Sequence, residues 1–95
     1  MKTVILDLTG CKSSWDIHER IRKVFDFPEW YGKNWDAFYD LLSMDSDIER
    51  VIVRGEQTLP PELSEHLKKM HEVFDDTAAF CEELNFSPFV YQIEN

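Results

Sequence analysis

The chain has few basic residues, few glycines and few cysteines, and it has no long apolar run. Ten Lys and Arg stand against nineteen Asp and Glu among 95 residues, which gives a net charge of −9. Because nucleic-acid binding relies on Lys and Arg, this balance excludes DNA or RNA as the expected partner and favours a cationic protein surface. The three glycines, Gly10, Gly32 and Gly55, are too scattered to form a glycine-rich phosphate loop.

The shortage of metal-ligating and targeting signals narrows the function further. Cys11 and Cys81 form no CxxC or Cys/His pattern, so we expect reduced thiols, no metal site and no cofactor. His66 and His71 are five apart and point to different sides of a helix, and His18 has no partner in the pattern, so all three are predicted at the surface. Without a signal peptide or a membrane-spanning run, we expect a cytoplasmic protein that has no membrane partner.

What is present is enough apolar residue for one core. The hydrophobic content is 43%, and a chain of this length is too short for two domains with separate cores. We therefore predict a single domain over residues 1–95, which is a monomer when free.

Hydrophobic periodicity and capping residues predict the elements. Strands are expected at 3–8, 50–54 and 89–93. Helices are expected from the cap at Ser13 to about Phe25, from the cap at Asn34 to Ser43, and after Pro60 and Pro61. The order β-α-α-β-α-β predicts an α/β fold, a small three-stranded parallel sheet packed with three to four helices. The long helix has one apolar stripe, formed by Leu63, Leu67, Met70, Phe74, Thr77, Cys81 and Leu84.

The segment PEWYGKNWDAFYDLL, residues 28–42, combines aromatic rings with regularly spaced carboxylates. On a helical wheel the apolar side is Trp35, Phe38, Leu41 and Leu42, and the opposite side is Asp36, Tyr39, Asp40 and Ser43. Two interpretations of this polar side remain open. It is a solvated face that provides solubility, or it is a binding surface in which rings supply buried area and charges supply orientation.

The same segment resembles the central motif of the barstar family, in which an aromatic-Tyr-Gly-x-Asn-x-Asp run leads into an acidic helix. DIHERIRKVFDF, residues 16–27, looks like the first helix of that family, and the element order is similar to its fold. The resemblance implies that Asp40 enters the phosphate-binding centre of a ribonuclease, with Asp36 as the second aspartate. Trp30 would cover the substrate-binding site, and Asp76 or Glu72 would be the contact on the long helix. The implied partner-binding residues are Trp30, Tyr31, Gly32, Asn34, Asp36, Tyr39, Asp40, Val73 and Asp76.

The resemblance implies an intracellular inhibitor that binds a barnase-type microbial ribonuclease one to one. The alternative is a barstar-like binding module for a different basic protein, such as another nuclease or a toxin. Catalysis is disfavoured because the two aspartates lie on an exposed helix side without a predicted cleft or an adjacent nucleophile. Lys33 departs from the acidic pattern, and we expect its charge beside Gly32 to repel a basic cleft during approach.

Overall fold

The structure, a computed structural model, describes residues 2–44 and 47–94. Its elements, in chain order, are β1 (Lys2–Asp7), α1 (Ser14–Val24), α2 (Trp35–Met44), β2 (Ile48–Arg54), α3 (Ser64–Glu83) and β3 (Val90–Glu94). Single turns of 3₁₀ helix at Glu56–Thr58 and Pro61–Leu63 join β2 to α3. The predicted order β-α-α-β-α-β is confirmed, and the element limits differ from the predicted ones by a few residues at most.

The sheet is parallel and β2 is its central strand. Val4 pairs with Val51, and Leu6 pairs with Val53. Leu6, Val51 and Val53 are completely buried, whereas Ile5, between two of these rows, is exposed. Successive side chains of a strand point to opposite faces, so the sheet has one covered and one open face.

Each helix contributes side chains to the same core. Ile17 and Ile21 of α1, Phe38 of α2, and Met70 and Phe74 of α3 are fully buried in one cluster with the inner face of the sheet. The core stripe of α3 is shorter than predicted. Leu84 lies just after the last residue of the helix, as its C-cap, and is exposed.

The ends of α1 and α3 have the same geometry. In both, the residue after the C-cap is left-handed without being glycine: Asp26 has a φ of 57° and Asn85 also has 57°. The amide of Phe27 donates to the Arg22 carbonyl at 2.9 Å, and the amide of Phe86 donates to the Cys81 carbonyl at 2.8 Å. These six-to-one hydrogen bonds define the Schellman motif, which satisfies carbonyls at a helix terminus. We refer to the two ends as the Schellman stops.

Candidate functional site

The start of α2 is fixed by Asn34. Its side-chain Oδ1 accepts from the Ala37 amide at 2.8 Å, and its Nδ2 donates to the Gly32 carbonyl at 3.3 Å. The first bond satisfies one of the amides that lack a partner at a helix N-terminus. The second holds the preceding loop against the helix, so the predicted cap also positions the loop.

The two faces of α2 divide as the sequence predicts. Phe38, Leu41 and Leu42 are buried, and Asp36 and Asp40 are exposed. Neither side-chain carboxylate makes a hydrogen bond or an ion pair within the described ranges 2–44 and 47–94. Asp36 lies in the first turn, where the helix dipole favours a negative charge, but Asp40 lies one turn later and lacks this compensation. Asp40 is therefore an exposed negative charge that the described structure does not neutralise.

A cavity of about 470 Å³ lies between α2 and α3. We call it the α2–α3 groove. It is open to solvent, and it is lined by charged, polar and aromatic side chains from the start of α2 and the middle of α3. The lining residues are Asn34, Trp35, Asp36, Tyr39, Lys69, Glu72, Val73 and Asp76.

Five of the nine residues that the sequence suggests for partner binding line this groove: Asn34, Asp36, Tyr39, Val73 and Asp76. Glu72 lines it as well, so both candidates for the contact on the long helix are present and the geometry does not choose between them. The other four, Trp30, Tyr31, Gly32 and Asp40, lie outside the groove lining. Of these four, Gly32 and Asp40 are exposed, and each is close in sequence to a residue that lines the groove.

Trp30 is presented to solvent beside a second, smaller cavity. Its side chain is 75% exposed. It lines a cavity of about 300 Å³ together with Phe27, Pro28 and Leu41. A large ring held open to solvent next to a concave surface is a typical place for a contact with a partner, because covering it removes much apolar area from water.

Tyr31 is placed differently from the other candidates. Its side chain is only 3% exposed and its hydroxyl is hydrogen bonded to His18 Nδ1 at 2.7 Å. Burial also raises the pKa of its hydroxyl well above the usual value. The ring of Tyr31 therefore anchors the loop from inside, whereas the ring of Trp30 is exposed and that of Tyr39 is partly buried.

The prediction that the histidines lie at the surface is wrong for His18, which is 3% exposed. The ring of Trp35 lies 4.3 Å from that of His18 between centroids, and its Nε1 donates to His66 Nδ1 at 3.3 Å. The pKa of His18 is lowered to about 4, mainly by burial and to a smaller extent by the nearby His66 and Lys33. This cluster could not be predicted from the sequence, because its members come from α1, α2, α3 and the loop before α2.

The charge of Lys33 is directed toward α1. Its Nζ lies 3.4 Å from Glu19 Oε2 and 5.7 Å from the centroid of the Trp15 ring. Glu19 also receives a hydrogen bond from Arg22 at 3.0 Å, and these two cations lower the pKa of the Glu19 carboxyl. Lys33 is therefore partly neutralised within the fold, and it is less available to repel a partner than its sequence position suggests.

Lys69 was missed at the sequence level. It occupies the groove lining four residues before Val73 and seven before Asp76. These spacings bring residues to the same side of a helix, so the periodicity held a usable signal once Val73 and Asp76 had been singled out.

The described residues contain no group of three or more His, Cys, Asp or Glu side chains that could hold a metal ion. In the same part of the chain, no helix is both long enough and apolar enough to cross a membrane. The groove combines three carboxylates, two aromatic rings and one ammonium group.

The chain is similar to known proteins over most of its length. The chain matches the sequence profile of the family described as Barstar (barnase inhibitor) over residues 1–93. A protein of Bacillus subtilis (strain 168) named "Putative ribonuclease inhibitor YrdF" is 30% identical over 53 residues. That alignment covers 56% of this chain and 58% of the relative, so the chain spans little more than half of that protein's length.

Proposed function

The chain belongs to the barstar family, and from this premise we propose that it inhibits a barnase-type microbial ribonuclease by placing α2 against the enzyme's basic active-site cleft. One observation carries the proposal. Asp36 and Asp40 are exposed on one face of α2 and have no neutralising partner within residues 2–44 and 47–94. Their charge is available to a second molecule.

The chemistry of the target fits this face. A ribonuclease must bind phosphate and stabilise developing negative charge, so its cleft presents cationic and hydrogen-bond-donating groups. A carboxylate held on a rigid helix would occupy the phosphate position without offering a bond that can be cleaved. We propose that Asp40 takes this position and that Asp36 pairs with a neighbouring cation.

The aromatic residues have a separate role in the proposal. We propose that Trp30 and Tyr39 exclude water around the charge pairs in the complex, which would strengthen those pairs by lowering the local dielectric. Gly32 and Asn34 would bring the loop backbone close to the enzyme, and Val73 with Asp76 or Glu72 would complete the contact from α3. Tyr31 would act by holding the loop in place.

The family is one of inhibitors, and we propose that this chain has no nuclease activity of its own. We further propose a one-to-one complex, a free monomer and a site of action in the cytoplasm, where an active ribonuclease would attack the cell's own RNA.

The test is titration of the purified chain against a panel of purified microbial ribonucleases, with RNA cleavage as the readout. We expect cleavage by at least one barnase-type enzyme to fall to zero at one equivalent of inhibitor. The double variant Asp36→Ala/Asp40→Ala should keep the native circular dichroism spectrum and lose inhibition. Undiminished cleavage by every enzyme in the panel would contradict the proposal and favour a different basic protein, which affinity capture from the source organism would then identify.

A further inference from the structure

Lys69 is the only basic residue in the described lining of the α2–α3 groove. It shares that lining with Asp36, Glu72 and Asp76, so a single ammonium group lies among three carboxylates. A groove meant for any basic surface would gain from uniform negative charge. The lysine therefore needs an explanation other than general charge attraction.

Lys69 is not committed to an ion pair inside the protein. Its side chain is exposed and forms no salt bridge with any residue of the described ranges. Glu65 lies four residues before it on α3, in the favourable order for a helical pair, yet the two form no salt bridge among the described residues. Lys33 shows the contrast, because its ammonium contacts Glu19 on α1.

We propose that Lys69 is a specificity-determining residue, which selects a ribonuclease that has a carboxylate at the rim of its basic cleft. The inference rests on the proposed function and concerns the choice among enzymes of that class. A partner with such a carboxylate would pair it with Lys69 while its cleft cations face Asp36 and Asp76. A partner with only cations along the same rim would meet the Lys69 ammonium as a like charge.

The physical basis is rejection of unsuitable partners. Like charges placed against each other across an interface suppress association with the wrong protein, and specificity commonly combines such a repulsive element with attractive contacts. Lys69 shares the groove lining with Asp36 from α2 and with Glu72 and Asp76 from α3, so the pattern combines one positive charge with three negative ones. This pattern is more selective than charge of one sign, since only a complementary pattern satisfies every position.

The experiment uses the full chain, its variants Lys69→Glu and Lys69→Ala, and the matched control Lys68→Glu. Lys68 precedes Lys69 on α3, is exposed and lies outside the groove lining, so Lys68→Glu changes the net charge equally without changing the groove. Inhibition constants are measured against two groups of purified ribonucleases, which differ in whether a carboxylate lies beside the basic cleft.

We expect Lys69→Glu to weaken inhibition by tenfold or more for the enzyme that the unmodified chain inhibits best. The same variant should improve inhibition of enzymes with a wholly basic rim. Lys69→Ala should shift the ratio in the same direction by less, and Lys68→Glu should improve inhibition of both groups alike. Equal effects of Lys69→Glu and Lys68→Glu would overturn this inference and leave the proposed function intact. Failure of the unmodified chain to inhibit any enzyme would overturn both.

Discussion

The first two helices carry similar numbers of acidic residues but use them in opposite ways. In α1, Glu19 is held by Arg22 and Lys33, and Asp16 accepts a hydrogen bond from the Lys12 amide at 2.9 Å. In α2, Asp36 and Asp40 have no such partners among the described residues. The last turn of α1 contains Arg22 and Lys23, whereas the last turn of α2 has no basic residue.

The difference shows that α2 carries an energetic cost that α1 avoids. Like charges one turn apart destabilise an isolated helix by a few tenths of a kcal/mol. The same fold provides partners for the acidic side chains of α1, so nothing general about the protein prevents the neutralisation of acidic side chains. A face with unpaired carboxylates is useful when a second molecule supplies the opposite charge, and this is the role that we propose for α2.

The strongest way to break this comparison is to remove a carboxylate from α2. Asp40→Ala should weaken the complex with the inhibited ribonuclease by about 2–5 kcal/mol, because cleft cations are left buried and unpaired. Complexes of this family are among those on which that range is based. Asp36→Ala should have the next largest effect. Isothermal titration or competition for RNA cleavage measures both.

A suitable control for the aspartate variants is Glu83→Ala, at the exposed end of α3 and outside the groove. It should change affinity by only a few tenths of a kcal/mol, as expected for a distant surface charge. Similar losses for Asp40→Ala, Asp36→Ala and Glu83→Ala would mean that net charge alone drives association, and the placement of acids on α2 would then have no special role.

The helices should also differ in their response to acid, because α1 carries the buried His18. The pKa of His18 is lowered from 6.5 to about 4 in the folded protein, so the unfolded chain binds the proton first. The stability that His18 contributes is fully present above pH 6.5 and is lost as pH falls toward 4. With about 1.4 kcal/mol for each pKa unit, the loss is about 3 kcal/mol.

Urea unfolding at several pH values between 7.5 and 4 measures this loss. The variant His18→Gln should be less stable at pH 7.5 and should show a shallower decline, since protonation of the buried His18 then no longer contributes. An equally steep decline in His18→Gln would show that protonation of His18 is not the cause.

The helix caps sharpen the comparison at a smaller scale. Ser13 caps α1 through a 3.3 Å bond from the Asp16 amide, and Asn34 caps α2 through a 2.8 Å bond from the Ala37 amide. Replacing either with Ala should lower the free energy of unfolding by about 1 kcal/mol. Only Asn34→Ala should also weaken inhibition beyond its effect on folding, because Asn34 lines the groove and ties down Gly32. Equal inhibition by the folded forms of the two variants would contradict this assignment.

The smallest expected effect concerns Lys33, which connects the two regions. Lys33→Ala removes its pair with Glu19, which as a partly exposed ion pair is worth less than about 1 kcal/mol of stability. It also removes a positive charge from the loop before α2, so association should be roughly two- to threefold faster at low salt. Stopped-flow measurements should show the gain shrinking at high salt, as the Debye length falls to about 3 Å at 1 M. Slower association would mean that Lys33 meets an acidic group on the enzyme.

The sequence predicted what depends on local pattern. The element order, the caps at Ser13 and Asn34 and the two faces of α2 follow from residues within one or two turns of each other. The acidic face could therefore be predicted from the sequence, because Asp36 and Asp40 lie on the same helix as the apolar residues that orient it.

What the sequence could not predict depends on packing between distant segments. The burial of His18 requires Tyr31, which lies thirteen residues away in a loop, and Trp35 from α2. The pairing of Lys33 with Glu19 requires a left-handed backbone at Lys33, with a φ of 52°, that directs the side chain toward α1. The place of Lys69 in the groove depends on how α3 lies against α2, which the period of α3 alone does not fix.

The Schellman stops are relevant to the thermal stability of this protein. A left-handed residue with a side chain carries a strain that glycine avoids, and Asp26 and Asn85 both adopt that conformation outside the groove lining. Natural proteins seldom sit at their optimum of thermal resistance, since selection only removes variants below a threshold. Asp26 lines the cavity beside Trp30, whereas Asn85 lies outside both that cavity and the groove, so the turn at Asn85 is the site where thermal resistance can be raised without altering the surface proposed to bind the ribonuclease.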